Sequence, residues 1–130
     1  MHNFEFRSGE VMKKENIIVD KSKAFAVRIV NLYKYLCDEK KEFVLSKQLL
    51  RSGTSIGANV KEAIRGQSKT DFAHKMNISL KEASETEYWL ELLVETDYIT
   101  VQQFESINSD CTELIKLLTA IVKSSREEGI

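Results

Sequence analysis

Four basic residues near the middle of the chain are spaced so that one helix would place them on a single arc. They are Lys47, Arg51, Lys61 and Arg65, called the basic row below, and their separations fit about 3.6 residues per turn. Lysine and arginine side chains in such a row can contact the phosphates of RNA or DNA without reading the bases. The alternative interpretation is a charged face that contacts only water.

Polar residues repeat beside the apolar positions of the same segment, where a helix would bury them in part. This polar seam consists of Gln48, Ser52, Ser55, Asn59 and Glu62. A buried polar group without a partner costs about 1–3 kcal/mol, so partners are expected on a neighbouring helix. Candidate partners are Ser79, Glu82, Ser84, Glu85, Thr86 and Glu87. We interpret the set as a hydrogen-bond network that fixes helix register or a subunit interface; a ligand site is the alternative.

Few residues in the chain are suited to catalysis or metal binding. The two histidines are His2 and His74, and we interpret His74 as a surface residue. Cys37 and Cys111 fall inside helical patterns, where small buried hydrophobic side chains are expected. The sequence contains neither zinc-ligand spacing, nor the paired motifs of a di-iron bundle, nor a phosphate-binding glycine loop. We therefore predict no catalytic residue, no metal and no cofactor.

Composition indicates one all-helical domain. The chain has 130 residues, five glycines and no proline, and its formal net charge is -1. Turn-rich folds of many strands need more glycine and proline than this. No apolar run approaches the ~18 residues of a membrane span. The N-terminus lacks the pattern of a secretory signal, so we expect a cytoplasmic protein without membrane contact.

Apolar residues recur at helical spacing in four segments. Helices formed by these segments must position the basic row and the polar seam. The pattern predicts helices over about 21–38, 42–65, 68–96 and 100–129, with capping boxes at 68–71 and 100–103 and a left-handed stop at Gly66. Residues 1–16 are predicted to form a loosely ordered tail and 17–130 the domain. Short connections force neighbouring helices to run antiparallel, which predicts an antiparallel up-down-up-down four-helix bundle.

Gly53 and Gly57 lie four residues apart inside the second predicted helix. Glycine inside a helix costs about 1 kcal/mol relative to alanine. Two of them indicate that another backbone approaches closely here, within the bundle or between subunits. A weak, flexible stretch of helix is the alternative.

Two runs of residues combine polar and apolar positions in a specific pattern over the second and third predicted helices. They are Leu45-x-x-Gln48-x-x-Arg51-Ser52-x-x-Ser55-Ile56-x-x-Asn59-Val60-x-Glu62-Ala63, and Asp71-Phe72 followed by Leu80-Lys81-Glu82-Ala83-Ser84-Glu85-Thr86-Glu87-Tyr88-Trp89-Leu90. The pattern resembles the four-helix-bundle family encoded in intervening sequences of bacterial 23S rRNA genes. The resemblance implies kinship with accessory proteins of diversity-generating retroelements. For those relatives it implies a homopentamer that binds nucleic acid and a reverse transcriptase through a basic surface.

Three hypotheses for function follow. The first is a non-enzymatic homo-oligomer, pentameric by the resemblance, that binds structured RNA or DNA non-specifically through the basic row. The second is a protein–protein adaptor or assembly module without nucleic-acid binding. The third is an enzyme or ligand-binding bundle that uses Glu62, Glu82 and Glu85, because clustered carboxylates can bind metal or transfer protons.

Overall fold

Four long helices account for the secondary structure of the residues that the structure describes. The structure, a computed structural model, describes residues 9–128, and the side-chain environments of 16–126. The helices are α1 (Gly9–Asp38), α2 (Leu45–Ile64), α3 (Lys69–Glu95) and α4 (Val101–Glu128), and the described residues contain no strand. The predicted all-α class is confirmed.

Contacts between helices show their directions. In three helix pairs the residue number rises along one helix as it falls along the other. The contacts are Ser22–Gly57 and Cys37–Ser46 for α1–α2, Arg51–Glu82 and Glu62–Lys75 for α2–α3, and Lys21–Glu113 and Arg28–Asp110 for α1–α4. The predicted up-down-up-down topology is therefore confirmed.

The first helix begins much earlier than the predicted position near residue 21. It begins at Gly9 and passes through residue 16 without a break, whereas residues 1–8 of the predicted tail lie outside the described residues. The apolar residues of this stretch lack a clean helical period. Ile18 is nevertheless fully buried, so tertiary packing extends the helix beyond its locally periodic part.

The core consists of the apolar seams predicted for the four helices. Fully buried side chains include Phe25, Ile29, Leu36, Leu49, Ile56, Phe72, Met76, Leu90, Leu93, Leu114 and Leu118. Cys111 is also buried, and burial, followed by the nearby charges of Glu87 and Asp110, raises the pKa of its thiol to about 12. This thiol is therefore protonated near neutral pH. Cys37 differs from its prediction, because it is only half-buried.

The second predicted capping box forms completely, whereas the described residues of the first show only the hydrogen bond that its serine accepts. Ser68 accepts a hydrogen bond from the backbone N–H of Asp71 at 3.1 Å. In the second box, Thr100 Oγ1 accepts from the N–H of Gln103 at 3.1 Å, and Gln103 Oε1 accepts from the N–H of Thr100 at 2.8 Å. Each box satisfies backbone donors that the first helical turn leaves unpaired.

The predicted start of α2 and its predicted left-handed stop are wrong. The helix begins at Leu45 rather than at residue 42. It ends at Ile64, and no glycine among the described residues has a positive φ, so Gly66 is not a left-handed stop. The left-handed positions are instead Lys41 and Asp97, with φ of 54° and 65°. Asp97 follows α3, where the N–H of the next residue bonds back to the carbonyl of Leu93 at 2.9 Å.

Glu42 caps α2 from outside the helix. Its carboxylate accepts hydrogen bonds from the backbone N–H groups of Val44, Leu45 and Ser46 at 3.2, 3.0 and 2.7 Å. Burial opposes ionisation of this carboxyl, but the backbone donors outweigh that effect and lower its pKa. A buried carboxylate therefore neutralises the positive end of the α2 dipole.

Gly53 and Gly57 lie where α2 approaches α1 inside the bundle. A Cβ atom at Gly53 would lie 2.7 Å from Cγ1 and 2.8 Å from Cγ2 of the buried Ile29. A Cβ at Gly57 would lie 3.4 Å from the backbone oxygen of Ser22, an ordinary contact distance. The predicted close approach occurs within the chain at Gly53, but the neighbour there is the side chain of Ile29 rather than another backbone.

Gly53→Ala and Gly57→Ala should therefore change stability in opposite directions. Gly53→Ala forces Ile29 to move, and overpacking of ~1–3 kcal/mol exceeds the ~1 kcal/mol gained in helix propensity. Gly57→Ala meets only ordinary contacts, so the propensity gain should raise stability by about 0.5–1 kcal/mol. Urea denaturation of the two variants measures both changes. Equal effects from the two substitutions would contradict the packing described for Gly53.

Glu42→Gln should destabilise the protein by about 1–2 kcal/mol at neutral pH, because the ionised cap of α2 is lost. Since the native pKa of Glu42 is lowered from 4.5, its contribution is complete above that pH and disappears as pH falls through the native value. Denaturant titrations from pH 7 to pH 3 should show the two proteins converging in acid. Glu39→Gln, which changes an exposed residue of the same connection, should show no such convergence.

Candidate functional site

The outward face of α2 presents the basic row. All four of its residues are exposed, and at about 1.5 Å per residue the row extends roughly 27 Å along the helix. Within the described part of the chain, the side chains of Lys47, Lys61 and Arg65 have no ion-pair partner. Three of the four cations are therefore available to an external anion.

Arg51, the fourth residue of the basic row, is already paired. Its guanidinium donates to Glu82 at 3.1 Å and also to Glu85 on α3. The indole N–H of Trp89 donates to Glu85 at 3.0 Å. These contacts form a cluster of four side chains that joins α2 to α3, and they reduce the net charge that Arg51 offers to a phosphate.

The cluster shifts the pKa values of Glu85 and Arg51. The Trp89 hydrogen bond lowers the pKa of the Glu85 carboxyl, burial opposes this, and Arg51 lowers the pKa further. The hydrogen bonds that Arg51 donates to Glu82 and then to Glu85 raise the pKa of its guanidinium. The ion pair is therefore complete throughout the neutral range.

The polar seam forms its network only in part. Ser52 is buried, and its hydroxyl oxygen lies 2.9 Å from that of Thr86 on α3. The buried hydroxyl of Ser79 donates to the backbone oxygen of Ile56 at 2.8 Å. These contacts between helices place polar groups at fixed levels of the core, so they fix the register of α2 against α3.

In the part of the chain that the structure describes, the remaining seam residues form no hydrogen bond to the buried network. Asn59 donates to the backbone oxygen of Ser55 at 2.8 Å, within α2. Glu62 is exposed and pairs with Lys75 at 2.9 Å, and Gln48 is exposed. The structure therefore divides the predicted seam into a buried part and a part on the surface.

A groove between α1 and α2 lies beside the basic row. Its volume is about 500 Å³. Lys61 and Arg65 line one wall and Lys23 lines the other, while Val19, Val60 and Ile64 contribute apolar surface. Helical spacing does not identify Lys23 as a neighbour of the basic row, because its place there depends on how α1 packs against α2.

Charge is distributed unevenly between the two halves of the bundle. Basic residues outnumber acidic ones in α1 and in α2, and acidic residues outnumber basic ones in α3 and in α4. The near-zero net charge of the chain therefore conceals a basic side that contains the groove and an acidic side opposite to it.

The three carboxylates of the enzyme hypothesis are not gathered into one site. Glu82 and Glu85 share Arg51, whereas Glu62 pairs with Lys75. Over the described residues, no group of three or more histidine, cysteine, aspartate or glutamate side chains is arranged to hold a metal ion. In the same part of the chain, none of the helices has the length and apolar character needed to cross a bilayer.

Comparisons with known proteins agree with the resemblance found in the sequence. The family model described as 23S rRNA-intervening sequence protein matches residues 14–120. A crystal structure of a protein of unknown function from the S23 ribosomal protein family of Bacteroides thetaiotaomicron is similar at 66% identity and a TM-score of 0.84. The match covers 85% of this chain and 98% of that one. No curated protein gave a match.

Trp89, the single tryptophan of the chain, should report the ionisation of Glu85. We expect an acid titration of its fluorescence to have a midpoint below 4.5, the ordinary glutamate value, because the pKa of Glu85 is lowered. Arg51→Ala should move the midpoint upward, since it removes a cation that stabilises the carboxylate. Lys47→Ala, an exposed and unpaired neighbour on α2, is the matched control. An unchanged midpoint in Arg51→Ala would contradict the described cluster.

Proposed function

Because the chain belongs to the family of 23S rRNA-intervening sequence proteins, we propose that it is a non-enzymatic, homo-oligomeric protein that binds RNA or DNA through the outward face of α2. Lys47, Lys61 and Arg65 contact phosphate groups in this proposal. The contacts are to the backbone, so binding is not specific for sequence. No cofactor takes part.

The availability of three cations on one helix face carries the proposal. Lys47, Lys61 and Arg65 are exposed and unpaired within the described residues, and Lys23 adds a fourth charge across the groove. A charged face that served only for solubility would not need its cations concentrated on α1 and α2, on the side of the bundle opposite the acidic helices α3 and α4. Arg51 contributes less than its neighbours, because Glu82 and Glu85 already pair with it.

Oligomerisation would raise the affinity of this face for nucleic acid. Few phosphates are neutralised by one copy, and non-specific binding of that kind is weak at physiological salt. Several copies held together bind as a multivalent unit, because each later contact is intramolecular. The resemblance to pentameric relatives suggests five copies. Light scattering of the purified protein measures this number, and a monomer would remove the multivalency.

A protein–protein adaptor remains the second candidate, supported by exposed apolar residues at one end of the bundle. Phe43 and Val44 precede α2 and are 52% and 72% exposed, and Val101 at the start of α4 is 63% exposed. The antiparallel topology puts these two connections at the same end. Phe43 and Val44 are adjacent in the chain, and exposed apolar side chains that lie together on a surface are typical of protein contacts.

Lys61→Ala/Arg65→Ala tests nucleic-acid binding directly. Fluorescence anisotropy with labelled RNA and DNA at low salt should show that the double variant loses about 10-fold or more in affinity. The slope of log K against log salt should fall by roughly one for each phosphate contact removed. Thermal melts should match those of the wild type, since both residues are exposed.

Lys116→Ala/Lys123→Ala is the matched control, because it removes the same charge from exposed positions on α4. Its affinity should stay near that of the wild type. An equal loss in both double variants would indicate a general effect of net charge. Absence of binding at tens of micromolar wild-type protein in low salt would reject nucleic-acid binding and leave the adaptor hypothesis.

A further inference from the structure

We infer that the groove between α1 and α2 receives an unpaired nucleobase, so that the protein prefers single-stranded to double-stranded nucleic acid. The inference rests on the proposed function, because it requires the basic row to follow a nucleic-acid backbone. It adds a class of ligand, single strands or unpaired loops, and a site for the base.

The basic row and the groove share residues. Lys61 and Arg65 belong to both, so a strand whose phosphates they bind must pass along the mouth of the groove. Lys23 stands on the α1 wall, is exposed, and has no ion-pair partner in the described region. Cations on both walls would therefore hold the backbone on either side of a base that points inward.

The interior of the groove suits the faces of a base. Its apolar lining is aliphatic, with Val19, Ala26, Val60 and Ile64, and its volume of about 500 Å³ lies within the range of small-ligand sites. Aliphatic side chains can contact the face of any base, so this contact does not depend on the nucleotide sequence. Thr54 lines the groove and donates its hydroxyl proton to the carbonyl of Leu50 at 2.7 Å. The Thr54 oxygen is thus left to accept an N–H from a base.

Base pairing decides which nucleic acid can use the groove. In a duplex, a base must leave its stack before it can enter, at a cost of a few kcal/mol. A base in a single strand is already exposed, and it buries its apolar faces when it enters the groove. Both forms can still contact the basic row through their phosphates.

Binding of a labelled single-stranded RNA of about 12 nucleotides should be compared with a duplex of the same length at one salt concentration. The wild type should bind the single strand about 10-fold or more tightly. Ala58→Leu should lower single-strand affinity by about 5-fold or more and leave duplex affinity within about 2-fold. Ala58 is exposed and lines the groove, so leucine fills space there without changing charge or adding an aromatic ring.

Ala24→Leu is the matched control, because Ala24 is exposed on α1 and lies outside the groove lining; it should change neither affinity. Lys23→Ala should weaken single-strand binding more than duplex binding, whereas Lys34→Ala, exposed on the same helix, should not. Equal binding of both nucleic acids with no effect of Ala58→Leu would overturn the inference and leave the proposed function intact. An equal loss of both affinities in Ala58→Leu would also overturn it. Failure of the wild type to bind either ligand would reject the proposed function itself.

Discussion

The close approach of α1 and α2 is the constraint on which the basic side of the bundle depends. Ile29 occupies the space where a side chain at residue 53 would begin, 2.7 Å from the position of a Cβ atom. Glycine at that position therefore allows both helices to pack around one core while Lys23 faces Lys61 and Arg65 across a shallow groove. A larger residue would force the two walls of the groove apart or displace the core.

The second helix combines three kinds of chemistry because its side chains point in different directions around one axis. Leu49 and Ile56 enter the core. Ser52, buried beside them, meets Thr86 on α3, so that a polar contact fixes the register that apolar packing alone leaves loose. The outward arc is left to cations. A rotation of α2 by one residue would change which side chains face the core, which meet α3 and which face solvent. The register of the helix therefore also determines which charges lie on its outward face.

Pairing within the chain decides which charges remain available. Arg51 lies on the same exposed arc as Lys61, but ion pairs with two glutamates of α3 neutralise its charge. Those glutamates tie the basic helix to the acidic half of the bundle. The charge of the outward face is therefore concentrated at the level of Lys61 and Arg65, beside the groove. The solved relative shares this four-helix fold with the chain.

Sequence alone determined the number of helices, their apolar seams and the caps at Ser68 and Thr100, because each of these depends on neighbours a few residues apart along one helix. Tertiary structure decided the features that join distant segments. They include the start of α1 at Gly9, the cap that Glu42 supplies to α2, the pairing of Arg51 with residues 31 and 34 positions away, and the place of Lys23 on the groove. Helical periodicity shows which face of a helix is buried. It does not show how far one helix is rotated or shifted against another, and the contacts of charged side chains depend on that geometry.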